Sequence, residues 1–137
     1  MNKLVKPRFR QPSLSLADLA RQLSSFAQAR EWEQYHTPKN LVMALSVEVA
    51  ELVEHFQWLT PEQSLGLHAS DKKIIALEIA DVLIYLTRLA DILGVDPMAA
   101  VLHKMKSNAR KYPIAKAKGN AKKYTQLHKE QKRIRPV

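Results

Sequence analysis

The sequence predicts an all-α protein folded as a four-helix bundle, and three observations support this fold class. The long periodic segments are rich in Leu, Ala, Ile, Glu and Lys, a composition that favours helices. The 3 glycines and 7 prolines fall almost entirely outside those segments. Mostly short loops join the segments, as in helical bundles.

The first two helices are defined by the residues that cap them. Ser15 followed by Asp18 makes an acidic capping box, which predicts a helix over residues 15–31. Thr37-Pro38 supplies an N-cap and a first helical residue, so a second helix is predicted over residues 37–57.

The last two helices are separated by a glycine. We expect the third helix over residues 70–93, stopping at Gly94, after a loop over residues 59–69 that contains one short turn. The fourth helix covers residues 96–112 and ends there because Pro113 cannot continue it. The second and third helices are apolar nearly all round, which predicts a surface for self-association.

The chain has 137 residues and a mass of 15.6 kDa, the size of one ordinary domain. We expect this domain over residues 15–113, after a flexible basic N-terminus (1–14) and before a basic, extended or loosely docked tail (114–137). No apolar run suits a membrane span or a signal peptide, so a cytoplasmic protein without a membrane partner is predicted. The lack of cysteine excludes disulfides, thiolate zinc sites and a cysteine nucleophile.

The formal charge of +9 would by itself suggest a nucleic-acid partner. Its distribution argues against one, because residues 1–102 carry a charge of −2 and residues 103–137 a charge of +11. The chain is therefore a mildly acidic body with a basic C-terminal third, and nucleic acid is not the partner that we expect.

Two pairs of acidic residues fall on apolar helix faces. On the second helix, Glu48 lies close to the predicted inward stripe, and Glu51 lies about one turn away. On the third helix, two acids and a tyrosine share the inward stripe with apolar residues; these are Glu78, Asp81 and Tyr85 beside Ile74, Leu89 and Ile92. Each of these two long helices thus carries two carboxylates, three residues apart, on an otherwise apolar face.

Four carboxylates in one interior must be protonated, paired or bound to a cation, because unpaired buried charges cost several kcal/mol each. Arg88 is the best-placed inward cation, and one cation cannot offset four acids. An all-oxygen ligand set suits Mg²⁺ or Mn²⁺. A di-iron bundle would need Glu-x-x-His motifs, whereas His55 follows Glu51 by four residues.

A hard cation held by carboxylates commonly acts on a phosphate substrate. Cationic and amide side chains in the last two turns of the fourth helix could hold phosphates, namely Lys104, Asn108, Arg110 and Lys111. Trp32 and Trp58 lie at helix ends, where they could stack on a base. Purely structural roles are the alternatives, since terminal cations stabilise a helix dipole and a tryptophan can cover a core.

The motifs together resemble the MazG-like all-α nucleoside triphosphate pyrophosphatases, and within them most closely the dCTP pyrophosphatase group. The resemblance covers about residues 16–113. It depends on E-x-x-E at residues 48–51 and E-x-x-D at residues 78–81, flanked by W-E-Q-Y-H at residues 32–36 and K-M-x-x-N-x-R-K-Y-P at residues 104–113. Each motif alone would be weak, and the combination is highly specific.

The resemblance implies a role for each motif residue. Glu48, Glu51, Glu78 and Asp81 would bind magnesium and carry catalysis. The substrate-binding residues would be Trp32, Glu33, His36, Trp58 and Tyr85 around the nucleoside, and Lys104, Asn108, Arg110, Lys111 and Tyr112 at or near the phosphates. Leu23 stands where some dCTP-preferring relatives have a ligand-facing histidine, which leaves the preferred base open.

The implied reaction is hydrolysis of a nucleoside triphosphate, dCTP or a modified dCTP, to a monophosphate and pyrophosphate by a homodimer or homotetramer. Attack of an oriented water on the α-phosphorus would release pyrophosphate, and Glu51 either orients that water or binds the metal. The alternatives are a broad-specificity triphosphate pyrophosphatase, a relative that binds nucleotides without hydrolysing them, and a non-enzymatic basic module that binds nucleic acid.

Overall fold

The computed structural model describes residues 14–127, and these residues form helices and turns without a β-strand. The all-α class is therefore confirmed. The described residues divide into two compact units, with the boundary between Gly94 and Val95. In the described part of the chain, no helix combines the length and the hydrophobicity that crossing a lipid bilayer requires.

The described residues of the first unit, 14–94, form four α-helices and one short 3₁₀-helix. In chain order they are α1 (Leu16–Gln28), the 3₁₀-helix (Trp32–Gln34), α2 (Pro38–Glu54), α3 (Pro61–Leu65) and α4 (Ala69–Ile92). The second unit contains α5 (Pro97–Lys111), α6 (Ile114–Ala117) and a helical turn at residues 124–127. The four long helices α1, α2, α4 and α5 are those that the sequence predicts.

The predicted caps are present. Ser15 and Asp18 form the reciprocal capping box of α1, and the Thr37 side chain accepts a hydrogen bond from the Asn40 backbone N–H at the start of α2. At the end of α4, Gly94 adopts the left-handed conformation, with φ 63°, that terminates a helix at little steric cost.

Several predicted boundaries are wrong by a few residues. α1 ends at Gln28 instead of Glu31, because Glu31 adopts a left-handed conformation with φ 55°, which a right-handed helix cannot include. α2 ends at Glu54 instead of Gln57, and its last predicted residues form turns. The tail is predicted to be extended or loosely docked, and it is not extended at residues 114–117, where α6 forms directly after Pro113.

The core of the first unit is formed by α2 packed against α4, with α1 also packed against α4. Leu41 of α2 is 1% exposed, and Ala27 and Ile75 are buried with it. The sequence predicts that Ile74 and Ile92 of α4 face inward. Both predictions are wrong within this chain, because Ile74 is 49% exposed and Ile92 is 40% exposed. Because α4 packs against two helices at once, its buried face is displaced from the stripe that apolar residues alone suggest, and it includes Thr87 and Arg88.

The second unit begins with a well-capped helix. The Asp96 carboxylate accepts hydrogen bonds from the backbone N–H groups of Met98 and Ala99 at the start of α5. Further along, the Lys111 ammonium lies 5.6 Å from the centroid of the Tyr124 ring, a cation–π contact between α5 and the terminal helical turn.

Leu41 provides a direct test of this core. We expect Leu41→Ala to lower the free energy of unfolding by about 2–5 kcal/mol, because truncating a fully buried leucine loses transfer free energy and leaves a cavity. Leu65→Ala is the matched control, since Leu65 is 86% exposed and its truncation should change the free energy by less than about 0.5 kcal/mol. Urea unfolding measures both values, and equal losses would contradict the described packing.

Candidate metal centre and adjoining pocket

Three of the four predicted acids converge where α2 packs against α4. Glu48 comes from α2, and Glu78 and Asp81 come from consecutive turns of α4. One carboxylate oxygen from each residue lies within 4.8 Å of the other two, and all three residues are partly buried. We refer to Glu48, Glu78 and Asp81 as the carboxylate cluster.

The electrostatics of the cluster are unfavourable without a cation. The pKa of Glu48 is raised from its ordinary value, first by burial and then by the negative charges of Glu51, Asp81 and Glu78. Like charges held this close favour a proton or a bound cation in the site. Three carboxylate oxygens within reach of one ion are the donors that a hard divalent cation prefers, so these residues fit a metal.

The remaining predicted acid has a different position. Glu51 is exposed and does not belong to the carboxylate cluster, although it is close enough for its charge to raise the pKa of Glu48. The buried apolar surroundings that the sequence predicts for Glu51 are therefore wrong within this chain. The helical spacing is correct, but α4 covers only the side of α2 that carries Glu48.

His55 also lies at this site. Its Nε2 atom is 3.9 Å from Glu78 Oε1, across the same α2–α4 contact. The sequence gives little reason to expect this neighbour, because the spacing from Glu51 to His55 does not match a known ligand motif. The sequence feature that could have indicated it is helical spacing, because His55 follows Glu51 by one turn and Glu48 by two turns.

A cavity of about 350 Å³ lies between α1, the 3₁₀-helix and α4. Its walls are mostly apolar or aromatic, and the lining residues are Leu23, Phe26, Trp32, His36, Ile84, Tyr85 and Arg88. We refer to this cavity as the aromatic pocket. Its size and lining are typical of a site for a small organic molecule.

Ring contacts organise one wall of the aromatic pocket. The Trp32 ring meets Phe26 edge to face at a centroid distance of 5.9 Å and meets His36 in the same manner at 6.3 Å. The Arg30 guanidinium lies 3.4 Å from the centroid of the Phe26 ring. The left-handed Glu31 makes the turn between α1 and the 3₁₀-helix that carries Trp32.

Hydrogen-bonded polar side chains line another side of the aromatic pocket. The buried Arg88 donates a hydrogen bond from Nε to His36 Nδ1 at 3.2 Å, and its Nη1 is 2.7 Å from Asp91 Oδ2. Burial and the Arg88 charge lower the pKa of His36 below its ordinary value, while the charge of Glu33 opposes the shift. Arg88 is an inward cation, as predicted, and its described partners are His36 and Asp91.

The predicted nucleoside-binding residues have different positions. Trp32, His36 and Tyr85 line the aromatic pocket. Glu33 is exposed on the 3₁₀-helix, and Trp58 is 86% exposed; neither lines this pocket. The binding roles of all five remain predictions.

The predicted phosphate-binding residues belong to the second unit. All are exposed, and they occupy the C-terminal part of α5 and the residue after it; they are Lys104, Asn108, Arg110, Lys111 and Tyr112. Asn108 also accepts a hydrogen bond at its backbone oxygen from the Tyr112 N–H at 2.8 Å. Their contact with phosphate stays a prediction.

Phe26 and Ile84 also line the pocket, and no motif in the sequence predicts a binding role for either residue. Phe26 follows Leu23 by three residues on the same face of α1, and Ile84 precedes Tyr85 on α4. Periodicity could place Phe26 on the inner face of α1. It could not show that α1 and α4 leave a space between them.

These features are those of an all-α protein with a candidate metal centre and a largely apolar pocket that share one helix, α4. Residues 43–127 match the model of the MazG-like family, and this chain belongs to that family. It is 43% identical over 118 residues to dCTP pyrophosphatase 1 of Homo sapiens, an alignment that covers 85% of this chain and 69% of that protein. It is 47% identical over 116 residues to the Bos taurus dCTP pyrophosphatase 1, covering 82% and 68% respectively.

A solved structure supports the same assignment. The crystal structure of a pyrophosphatase from Archaeoglobus fulgidus DSM 4304 matches with a TM-score of 0.69 and 41% identity. The match covers 79% of this chain and 99% of that one. The resemblance noted in the sequence is thus confirmed at the level of family and fold.

The raised pKa of Glu48 predicts a specific pH dependence. A carboxyl whose pKa is higher in the folded than in the unfolded protein stabilises the fold below its unfolded pKa, and this stabilisation is lost as pH rises through the folded value. Without divalent ions, Glu48→Gln should therefore gain stability relative to the wild type as pH rises from about 4 to 7. Urea unfolding in a chelator measures this difference, and a difference that is constant across pH would contradict the electrostatic account.

Proposed function

We propose that this chain is a Mg²⁺-dependent nucleoside triphosphate pyrophosphohydrolase that cleaves dCTP or a modified dCTP to the monophosphate and pyrophosphate. The observation that carries the proposal is the position of the carboxylate cluster next to the aromatic pocket on one helix. Asp81 belongs to the cluster and Tyr85, one turn later on α4, lines the pocket. At the helical rise of about 1.5 Å per residue, about 6 Å along the helix axis separates them.

This arrangement matches the shape of a nucleotide. The aromatic pocket offers flat apolar surfaces for a base, and the carboxylate cluster offers a site for the cation that accompanies phosphates. A bound nucleoside in the pocket would place its α-phosphate toward the acids. The names of the human and bovine relatives support dCTP as the substrate class for this chain.

The carboxylate cluster would hold the ion through one oxygen from each of Glu48, Glu78 and Asp81. We favour Mg²⁺, with Mn²⁺ as a substitute, because the donors are all carboxylate oxygens. When bound, the ion supplies positive charge that polarises phosphoryl oxygens and offsets the charge that develops during displacement.

The side chains of this protein would perform the remaining steps. Glu51, which is exposed and one turn from Glu48, would orient a water and accept its proton. The water oxygen forms a bond to the α-phosphorus, the bond from that phosphorus to the bridging oxygen breaks, and pyrophosphate leaves. The pocket residues Trp32, His36 and Tyr85 would hold the nucleoside so that the α-phosphorus stays in place.

The cleavage is tested with purified protein, Mg²⁺ and a panel of canonical and C5-modified dNTPs and NTPs. We expect monophosphate and pyrophosphate in equal amounts, with dCTP or a modified dCTP preferred and no turnover in a chelator. Similar rates for all bases would favour the broad-specificity alternative. Release of inorganic phosphate, or salt-sensitive binding to DNA without turnover, would contradict the proposal.

The role of the cluster is tested by Glu78→Gln, which keeps the shape of the side chain and removes its charge. We expect kcat/KM to fall at least about a hundredfold, because an interaction with the ion that stabilises developing charge is lost. Glu54→Gln is the matched control, since Glu54 is an exposed glutamate on α2 outside the cluster. Comparable activities of the two variants would contradict the assignment of the cluster.

We also propose that the active form is a homo-oligomer. In the described residues the buried apolar side chains are few, and they are Ala27, Leu41, Ile75 and Leu127. Large apolar residues of α2 and α4 remain exposed, including Met43 and Leu77. A second copy covering these faces would complete the core.

The oligomer is tested by the charged substitution Met43→Asp. We expect the wild type to have at least twice the mass of a single chain in light scattering, and Met43→Asp to shift it toward the monomer. Leu65→Asp, on α3, is the control and should keep the wild-type mass. A monomeric wild type would contradict this part of the proposal.

A further inference from the structure

Arg88 is a buried cation that the proposed chemistry does not use. Its exposure is only 4%, although it lies on α4 one turn beyond Tyr85 and two turns beyond Asp81. Its guanidinium does not pair with the carboxylate cluster. It pairs with Asp91 on its own helix and reaches His36, 52 residues away in the chain.

The chemistry of this contact fixes the state of the imidazole. A guanidinium has only N–H donors and does not lose a proton in proteins. The His36 Nδ1 atom, which receives the bond from Arg88 Nε at 3.2 Å, must therefore present a lone pair. A neutral imidazole with a lone pair on Nδ1 carries its proton on Nε2, whereas an imidazolium would set one N–H against another.

We propose that Arg88 is a positioning residue that holds His36 as the neutral Nε2–H tautomer, so that the aromatic pocket presents a hydrogen-bond donor to an acceptor atom of the nucleoside. This proposal deepens the proposed function and depends on it for the identity of the ligand. The tautomer itself is independent of any ligand. The depressed pKa of His36 is consistent with the same geometry.

The composition of the pocket makes this donor important. Leu23, Phe26 and Ile84 have no polar side-chain atoms, so only a few groups of the lining can form hydrogen bonds to a ligand. A donor in largely apolar surroundings selects for a ligand with a carbonyl oxygen or an unprotonated ring nitrogen at that point. A ligand without such an acceptor would leave the N–H unpaired, at a cost in affinity.

Asp91 completes the arrangement. Its carboxylate accepts from Arg88 Nη1 at 2.7 Å and is 37% exposed, so it restrains the guanidinium from the solvent side. Two bonds in the plane of one guanidinium fix its orientation better than one bond can. Arg88 therefore presents Nε to His36 in a defined direction.

The tautomer is measured directly by ¹H–¹⁵N correlation spectra of the histidine side chains in the intact protein, with His36 assigned through the His36→Gln variant. We expect the His36 signals to show a protonated Nε2 and an unprotonated Nδ1 at pH 7. We also expect this neutral state of His36 to persist to a pH below the ordinary pKa of a histidine side chain. A protonated Nδ1 or an imidazolium at pH 7 would overturn the proposal.

Arg88→Met tests whether the arginine holds that state. We expect a mixture of tautomers at His36 and a rise in KM of roughly tenfold, which corresponds to about 1.4 kcal/mol. We expect little change in kcat, because the donor binds substrate and transition state alike. The matched control is Arg21→Met, since Arg21 also pairs with an aspartate three residues away, Asp18, but is exposed on α1. The Arg21→Met variant should have the wild-type tautomer at His36 and the wild-type KM.

The outcomes separate this proposal from the proposed function. If Arg88→Met folds and keeps both the wild-type tautomer and the wild-type KM, the positioning role is wrong. If that variant does not fold, the wild-type spectrum still decides the tautomer. If the wild type shows the Nε2–H tautomer but hydrolyses no triphosphate, the proposed function fails while the assigned tautomer stands.

Discussion

The contact between α2 and α4 brings Glu48, Glu78 and Asp81 into one partly buried cluster, and the candidate metal centre depends on this contact. The apolar packing around Leu41 and Ile75 favours the contact, while repulsion among the three carboxylates opposes it. Burial and, after it, the neighbouring negative charges raise the pKa of Glu48. A bound cation would turn the repulsion into attraction, so the packing of the helices and the binding of an ion are coupled.

The same helix extends the site away from the acids. Along α4, Asp81 belongs to the carboxylate cluster, Tyr85 lines the aromatic pocket, and Arg88 donates a hydrogen bond to His36. The spacings of four and three residues keep all of them near one face. One rigid helix thus fixes the distance between the place for a cation and the place for an organic group. A substitution that shifts α4 would therefore disturb both the carboxylate cluster and the aromatic pocket.

The sequence predicted the helices well because their signals are local. The Ser15 box, the Thr37 cap and Gly94 depend only on neighbours a few residues away. The acids at the site were predicted because charge on an apolar face is unusual. The exposure of Glu51, the burial of Ile75 in place of Ile74, and the contact of Arg88 with His36 depend on how three helices pack together. Periodicity along one helix does not contain that information.

The central claim is that a water attacks the α-phosphorus of a triphosphate held between the aromatic pocket and the carboxylate cluster. The most direct test is hydrolysis of dCTP with Mg²⁺ in ¹⁸O-labelled water, followed by mass spectrometry of both products. Our account predicts that one ¹⁸O atom enters the monophosphate and none enters the pyrophosphate. Label in the pyrophosphate would place the attack on the β-phosphorus and contradict the account.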